Sequence, residues 1–501
     1  MWPPHRRSFL CSRHLERRTH RGEHDRGAGL LEGEGALADF HYLSLDEVAR
    51  RLKARTLTSV DATTAILDRI DRVDPKLKSY ATLTPERALA DAAARDAETA
   101  AGRSRGALHG VPIAVKDLCN TAGVPTAAGM AIHRTNVPTE DATVVARLKA
   151  SGAVILGKLQ MTEGAFGAHH PSIPAPLNPW NAAYWTGSSS SGSGAATAAG
   201  LCFASLGSDT GGSIRFPSTM NGLTGLKPTW GRVSRAGIFP LAESLDHIGP
   251  MTRSALDCAI VLGVIAGADE RDPTAVPMPV PDYVAAVGEG VKGKRIGRPV
   301  DLAGLDDDGR RALDGAIDVF GKAGATILDV ALPAGFEQAA LDWVALCAVE
   351  CAIAHEATYP ARAGEYGGVL AGLIDVGRRL SGTELARLQL RRAALTGALN
   401  RLLSSIDLLL MPVMPRAVWS LEALAAAGRD PGTVGMRLRY TAPFDMSGHP
   451  TLTLPGGMTR DGMPVGFQIV SRAFDEAGIL AAGHVYQQAT GWHFERPPLD
   501  A

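Results

Sequence analysis

Ser213, in the run Thr210-Gly211-Gly212-Ser213, is the feature of this 501-residue chain best suited to covalent chemistry. A serine hydroxyl is a weak nucleophile and needs a base within hydrogen-bond reach. The four residues offer consecutive backbone N–H groups with little side-chain bulk, and such a turn can aim several donors at one developing oxyanion. That suits acyl transfer. The surrounding segment, residues 186–229, is unlike a Gly/Ser linker, because its small-residue clusters alternate with apolar runs. Other chemistries fail on spacing. GLTGLKPT lacks the phosphate-loop pattern GxxxxGK[ST], and no GxGxxG follows a strand here. Arg215 stands where a GxSxG elbow needs glycine. Ile113 stands three positions before Lys116, so SxxK is absent there. His247 or His449 could complete a Ser-His-Asp triad, but nothing in the sequence ties either to Ser213.

These residues need elements to hold them. The run GVPIAVKDL, 110–118, is apolar and opened by Gly and Pro, which predicts a buried strand ending near Lys116. A helix over 142–151 leads to a second strand, 152–157. Upstream, Ser44 with Glu47 reads as a capping box before Leu45, Val48 and Leu52. Ser59 is expected to cap a second helix, and 86–101 to form a third. A βαβ-like unit spans about 294–330, long helices are expected over 336–358 and 382–404, and strands return from 406 to about 470. The Pro-rich stretch 272–283 reads as a surface connector. Strands alternating with helices predict an α/β fold with a mixed sheet. Residues 1–40 lack hydrophobic periodicity and are expected to be a disordered extension.

The chain resembles the amidase signature family of Ser-cis-Ser-Lys hydrolases. The resemblance rests on GVPIAVKD around Lys116, GSSSSGSGAA at 187–196, GSDTGGSIRFPS at 207–218 and the following segment 222–254. These motifs stand in the family's order and spacing, and the likeness extends over about 40–500. It implies one large domain, 41–501, with a catalytic core near 105–260 and a central twisted mixed sheet covered by helices on both faces. Carried over by residue, it implies Ser213 as nucleophile, Lys116 as base and Ser189 as the bridging serine, its peptide bond to the next residue cis. Thr210, Gly211, Gly212 and Ser213 would form the oxyanion hole, with Ser190, Asp209 and Arg215 supporting the loop. The family usually has two glycines before the bridging serine; here Ser188 follows Gly187, which keeps Ser188 and Ser190 as alternatives. The chemistry is sound in itself. Lysine is a base only when neutral, and burial lowers its pKa by several units. Lys116 closes an apolar run, so burial is expected. Ser189 could then accept a proton from Ser213 and pass one to Lys116.

The remaining composition narrows the function. Lys+Arg number 51 and Asp+Glu 52, a balance that argues against whole-chain binding to nucleic acid or membrane. Six sparse cysteines without a CxxC pair make a disulfide framework unexpected. No run reaches the roughly 18 apolar residues of a membrane span, and the N-terminus lacks a secretory h-region, so a cytoplasmic location is expected. Cys347, Cys351 and His355 would stack on one helix face, but over about 12 Å, too long for one ion; packing cysteines are the expectation. His169 and His170 read as a pocket wall or a turn. No metal or organic cofactor is expected, because a serine, a relay and an oxyanion site suffice. The expected partner is a small-molecule amide, and a homodimer is allowed. The leading reading is a stand-alone amidase acting on linear amides. The alternative is the glutaminase (A) subunit of an aminoacyl-tRNA amidotransferase, against which Gln160-Met161-Thr162-Glu163-Gly164 departs from that subunit's pattern. Specificity is expected from Phe166, His169 and the segment 416–440.

Overall fold

Successive residues of a strand face opposite sides of a sheet, so a strand buried at every position lies in a sheet covered on both faces. The computed structural model describes residues 40–427 and 431–499. Its sheet comprises β1 (Tyr80–Leu83), β2 (Pro112–Lys116), β3 (Val154–Leu159), β4 (Ser205–Asp209), β5 (Thr224–Lys227), β6 (His247–Thr252), β7 (Arg295–Pro299), β8 (Thr326–Val330), β9 (Leu408–Pro412), β10 (Thr451–Met458) and β11 (Pro464–Ser471). The spatial order is β1-β3-β2-β4-β6-β5-β10-β11-β9-β7-β8. Every residue of β2, β3, β4, β6, β9 and β11 is buried. The expected α/β class with a mixed, helix-covered sheet is therefore what forms.

The mixture has a functional consequence. β2 pairs parallel to both β3 and β4, while β4 pairs antiparallel to β6. Parallel neighbours put their carboxyl ends at one edge, where the following loops converge. Lys116 ends β2 and Asp209 ends β4, so both loops that carry the candidate chemistry start at that edge. At the other flank, β7, the helix Asp307–Lys322 and β8 form the expected parallel βαβ unit. The long helices are Gln338–Ala354 and Gly382–Ser405. Between them lies a further helix, Gly368–Arg379, outside the expected ranges.

Local signals hold with two corrections. Ser44 caps the helix Leu45–Lys53 by accepting from the Glu47 N–H at 3.1 Å, but the box is not reciprocal. Glu47 instead pairs with Arg50 and Arg51, which offer full charges. The second helix is capped by Thr58, not Ser59. Ser59 is buried, and its hydroxyl donates to the Gly110 carbonyl at 2.7 Å. The expectation for residues 1–40, and Cys11 within it, lies outside the described residues apart from Phe40. The five described cysteines are free and buried. His355 packs between Phe239 and Tyr366, at ring distances of 5.5 and 5.4 Å, above buried Cys347 and Cys351. Among the described residues, no helix is long and apolar enough to cross a membrane.

Candidate active site

Lys116 is fully buried because the strand that ends in it, Pro-Ile-Ala-Val-Lys, is enclosed on both faces. Its ammonium nitrogen lies 2.6 Å from Ser189 Oγ and 2.9 Å from both Ser190 Oγ and Ser208 Oγ. Burial lowers its pKa from 10.5 to about 7, against the opposing pull of Cys119, Asp209 and Asp246. Hydroxyls both donate and accept, so three of them can satisfy the protonated amine or the neutral one with its lone pair. Ser188 makes no such contact among the described residues.

The Ser-rich run forms the loop that leads into the helix Ser191–Ala198, every residue of which is buried. The cis peptide bond joins Ser188 to Ser189. It therefore precedes Ser189, and the expectation that it follows Ser189 is corrected. Ser190 Oγ accepts from Lys116 and from the Ser208 N–H, and donates to the Ser208 carbonyl. Its own N–H donates to the Ser213 carbonyl at 3.3 Å. Ser190 thus ties the lysine, β4 and the Ser213 turn together.

Asp209 organises that turn. Its carboxylate accepts from the N–H groups of Gly212 (2.5 Å), Ile214 (2.9 Å) and Arg215 (3.3 Å) and from the Arg215 guanidinium (3.0 and 2.8 Å). Trp343 Nε1 donates to the Thr210 carbonyl at 2.6 Å, and Thr441 Oγ1 to the Gly211 carbonyl at 2.6 Å. A trans peptide with its carbonyl held has its next N–H aimed the opposite way. Glycine is required here. A Cβ on Gly211 would meet the Trp343 ring at 2.5 Å, and one on Gly212, at φ +135°, would meet the Phe216 ring at 2.5 Å.

Two expectations change at this turn. Gly212 cannot serve as a free oxyanion donor, because the Asp209 carboxylate occupies its N–H. The N–H groups of Thr210, Gly211 and Ser213 have no partner among the described residues, which leaves three candidate donors. The expected Ser213–Ser189 hydrogen bond is also not formed. The half-buried Ser213 hydroxyl has no hydrogen-bond partner among the described residues, while Ser189 turns to Lys116. Catalytic hydrogen bonds often close only when substrate binds.

Beneath the turn, Arg215 lies between Asp209 and Asp445, all three at 0% exposure, with its Nη2 bonded to both carboxylates. Burial alone would raise Asp209, yet the guanidinium and backbone donors outweigh it and hold the carboxyl below its usual range. Burial pushes Asp445 up. Replacing Arg215 with Leu would leave two carboxylates without a counter-charge. The expected loss is about 3–5 kcal/mol of stability, read from the urea midpoint.

Other singled-out residues sit apart. His247, in β6 opposite Asp209, directs Nδ1 to the Leu245 and Asp209 carbonyls at 2.7 and 3.2 Å. His449 bonds Ser447 and Asn400. Neither completes a triad with Ser213 among the described residues. His169 Nε2 lies 3.0 Å from Ser191 Oγ, and burial lowers its pKa to about 4. Four participants were missed: Ser208, Trp343, Thr441 and Asp445. Ser208 stands beside Asp209 and was within reach of a strand-end argument. The other three lie more than a hundred residues downstream and carry no local motif.

The family model described as Amidase matches residues 61–480. A Mycobacterium tuberculosis protein that bears the amidase name AmiD is 51% identical over 466 residues, covering 91% of this chain and 96% of its own. The glutamyl-tRNA(Gln) amidotransferase A-chain of Geobacter metallireducens is 38% identical over 483 residues, covering 91% of this chain and 98% of its own. The solved structure of the peptide amidase from Stenotrophomonas maltophilia superposes with a TM-score of 0.78 at 30% identity, covering 92% of this chain and 100% of that one.

Proposed function

Because the chain belongs to the Amidase family, we propose that it hydrolyses a carboxylic amide to the carboxylate and ammonia, or an amine, through a Ser213 acyl-enzyme. The observation that carries this reading is Lys116, fully buried, shifted to about 7 and surrounded by Ser189, Ser190 and Ser208. Neutral Lys116 takes the Ser189 proton as Ser189 takes that of Ser213. The Ser213 oxygen then bonds to the amide carbon, and the carbonyl electron pair moves to oxygen. The N–H groups of Thr210, Gly211 and Ser213 face that charge. Collapse breaks the C–N bond, and the leaving nitrogen takes the proton back from the relay. Water attacks the resulting ester by the same route and frees the acid.

Purified protein assayed for ammonia against aliphatic, aryl and amino-acid amides tests the reading. Activity on none of them, with no labelling of Ser213 by a serine-directed acylating reagent, would remove it. A second reading, the glutaminase component of an amidotransferase, draws on the 38% identity to the Geobacter protein. Glutamine as the sole substrate, hydrolysed only in a larger complex, would favour it. The 51% identity to an amidase-named relative favours the stand-alone enzyme.

The carbonyl clamps give a further expectation. Trp343→Phe removes the donor to the Thr210 carbonyl and loosens the peptide that carries the Gly211 N–H, while keeping an aromatic ring against Gly211. This variant should lose about tenfold in kcat with KM little changed in a steady-state assay. Thr441→Val, whose peptide stays pinned through the Gly212 N–H on Asp209, should stay nearer wild type in the same assay.

A further inference from the structure

Between β9 and β10, the segment that begins at residue 413 folds back onto the serine loops through residues 419 and 420. The Trp185 N–H donates to the Trp419 carbonyl at 2.9 Å, and Tyr184 bridges to Ser420. Trp185 lies four residues before Ser189 and leans on Phe216 at 5.8 Å. Phe216 lies three residues after Ser213, with its ring against Gly212. An aromatic shelf, with Phe216 and Trp419 buried and Trp185 half-buried, is thus attached to both serine-bearing segments.

Two guanidinium groups stand on this shelf. Arg437, in the last turn of the helix Pro431–Leu438, holds its guanidinium carbon over Trp185 at 6.0 Å and over Trp419 at 5.9 Å. It has no hydrogen bond and no ion pair among the described residues. Burial lowers its pKa, and no carboxylate opposes that shift. Asp461 accepts from Tyr184 at 3.1 Å, and Glu337 pairs with Arg439 at 3.8 Å. Arg416, over the Trp419 ring at 5.4 Å, adds a second positive charge. A guanidinium partly withdrawn from water without an anion is costly to keep. A guanidinium held over an aromatic ring keeps N–H donors in a flat fork that matches a carboxylate.

We propose that Arg437, held between Trp185 and Trp419, binds a carboxylate carried by the substrate, so that the preferred substrates are amides bearing an anionic group away from the scissile bond. This rests on the reading of Ser213 as the nucleophile in amide hydrolysis. The test compares ω-carboxyalkanamides of two to six methylenes with plain alkanamides of equal length, by ammonia release. Wild type should favour the carboxylated member at one or more lengths by at least tenfold in kcat/KM, mainly through KM. In Arg437→Gln that ratio should fall at least tenfold, and Arg437→Lys should retain part of it. A wild-type ratio near one at every length, or an unchanged ratio in Arg437→Gln, would overturn the proposal. Should no amide turn over, tryptophan fluorescence titration with glutarate and adipate separates the two readings. Binding that weakens at least tenfold in Arg437→Gln, or in Arg437→Met if the Gln variant does not fold, supports the site even though the hydrolytic reading has failed. Equal or absent binding overturns the site itself.

Discussion

Ser213→Ala is expected to lower kcat for amide hydrolysis by about four orders of magnitude or more while the protein keeps its fold. Without the hydroxyl there is no acyl-enzyme, and residual turnover would come only from the donors and binding surfaces that remain. The structure also says why folding should be spared. Among the described residues the Ser213 hydroxyl bonds to nothing, whereas its carbonyl holds the Ser190 N–H and survives the substitution. An unchanged thermal midpoint with ammonia release below about one percent of wild type is the expected result. Activity above that level, with contamination excluded, would show that another group attacks the amide.

Lys116 should set the pH dependence. With its pKa near 7, the protonated amine dominates below neutrality and cannot accept a proton. Log kcat/KM should therefore climb with unit slope up to about pH 7 and level off above it. Lys116→Ala should lose about 10³-fold or more in rate, and the rising limb with it. A variant that kept the wild-type profile would point to a different base. Stability carries the same signature. The folded pKa lies below the unfolded value of 10.5, so between about 7 and 10.5 the unfolded chain holds a proton that the folded one lacks. Unfolding free energy should consequently rise with pH across that window. The difference between wild type and Lys116→Met in urea titrations at pH 7 and 9 isolates the contribution of this residue.

The parts legible beforehand share one property: their energetics are local. Gly211 and Gly212 announced a turn no larger residue could make, and the apolar run before Lys116 announced a strand that would bury its last side chain. The caps are legible to within one residue: Thr58, next to the expected Ser59, accepts the helix N–H. The βαβ unit at 294–330 followed from period and turn residues alone. The Ser-rich loop was located, but the side of Ser189 on which the cis bond lies was not, because neighbouring serines offer the same chemistry at each position.

What the sequence determined by itself was the vocabulary of the candidate site: a serine in a glycine turn, a lysine at the end of an apolar strand, and a serine run between them. Only the tertiary structure decided which of these meet. The parallel pairing of β2 with β4 brings Ser208 to Lys116 alongside Ser189 and Ser190. Asp209 withdraws Gly212 from the free donors, and Trp343 and Thr441 fix the carbonyls of the turn from far downstream. Asp445 joins Arg215 from a helix 230 positions away along the chain. Backbone preference acts over a few residues and leaves its mark in a short string. Burial, charge pairing and hydrogen-bond satisfaction act across space, between residues whose separation along the chain carries no trace of their contact.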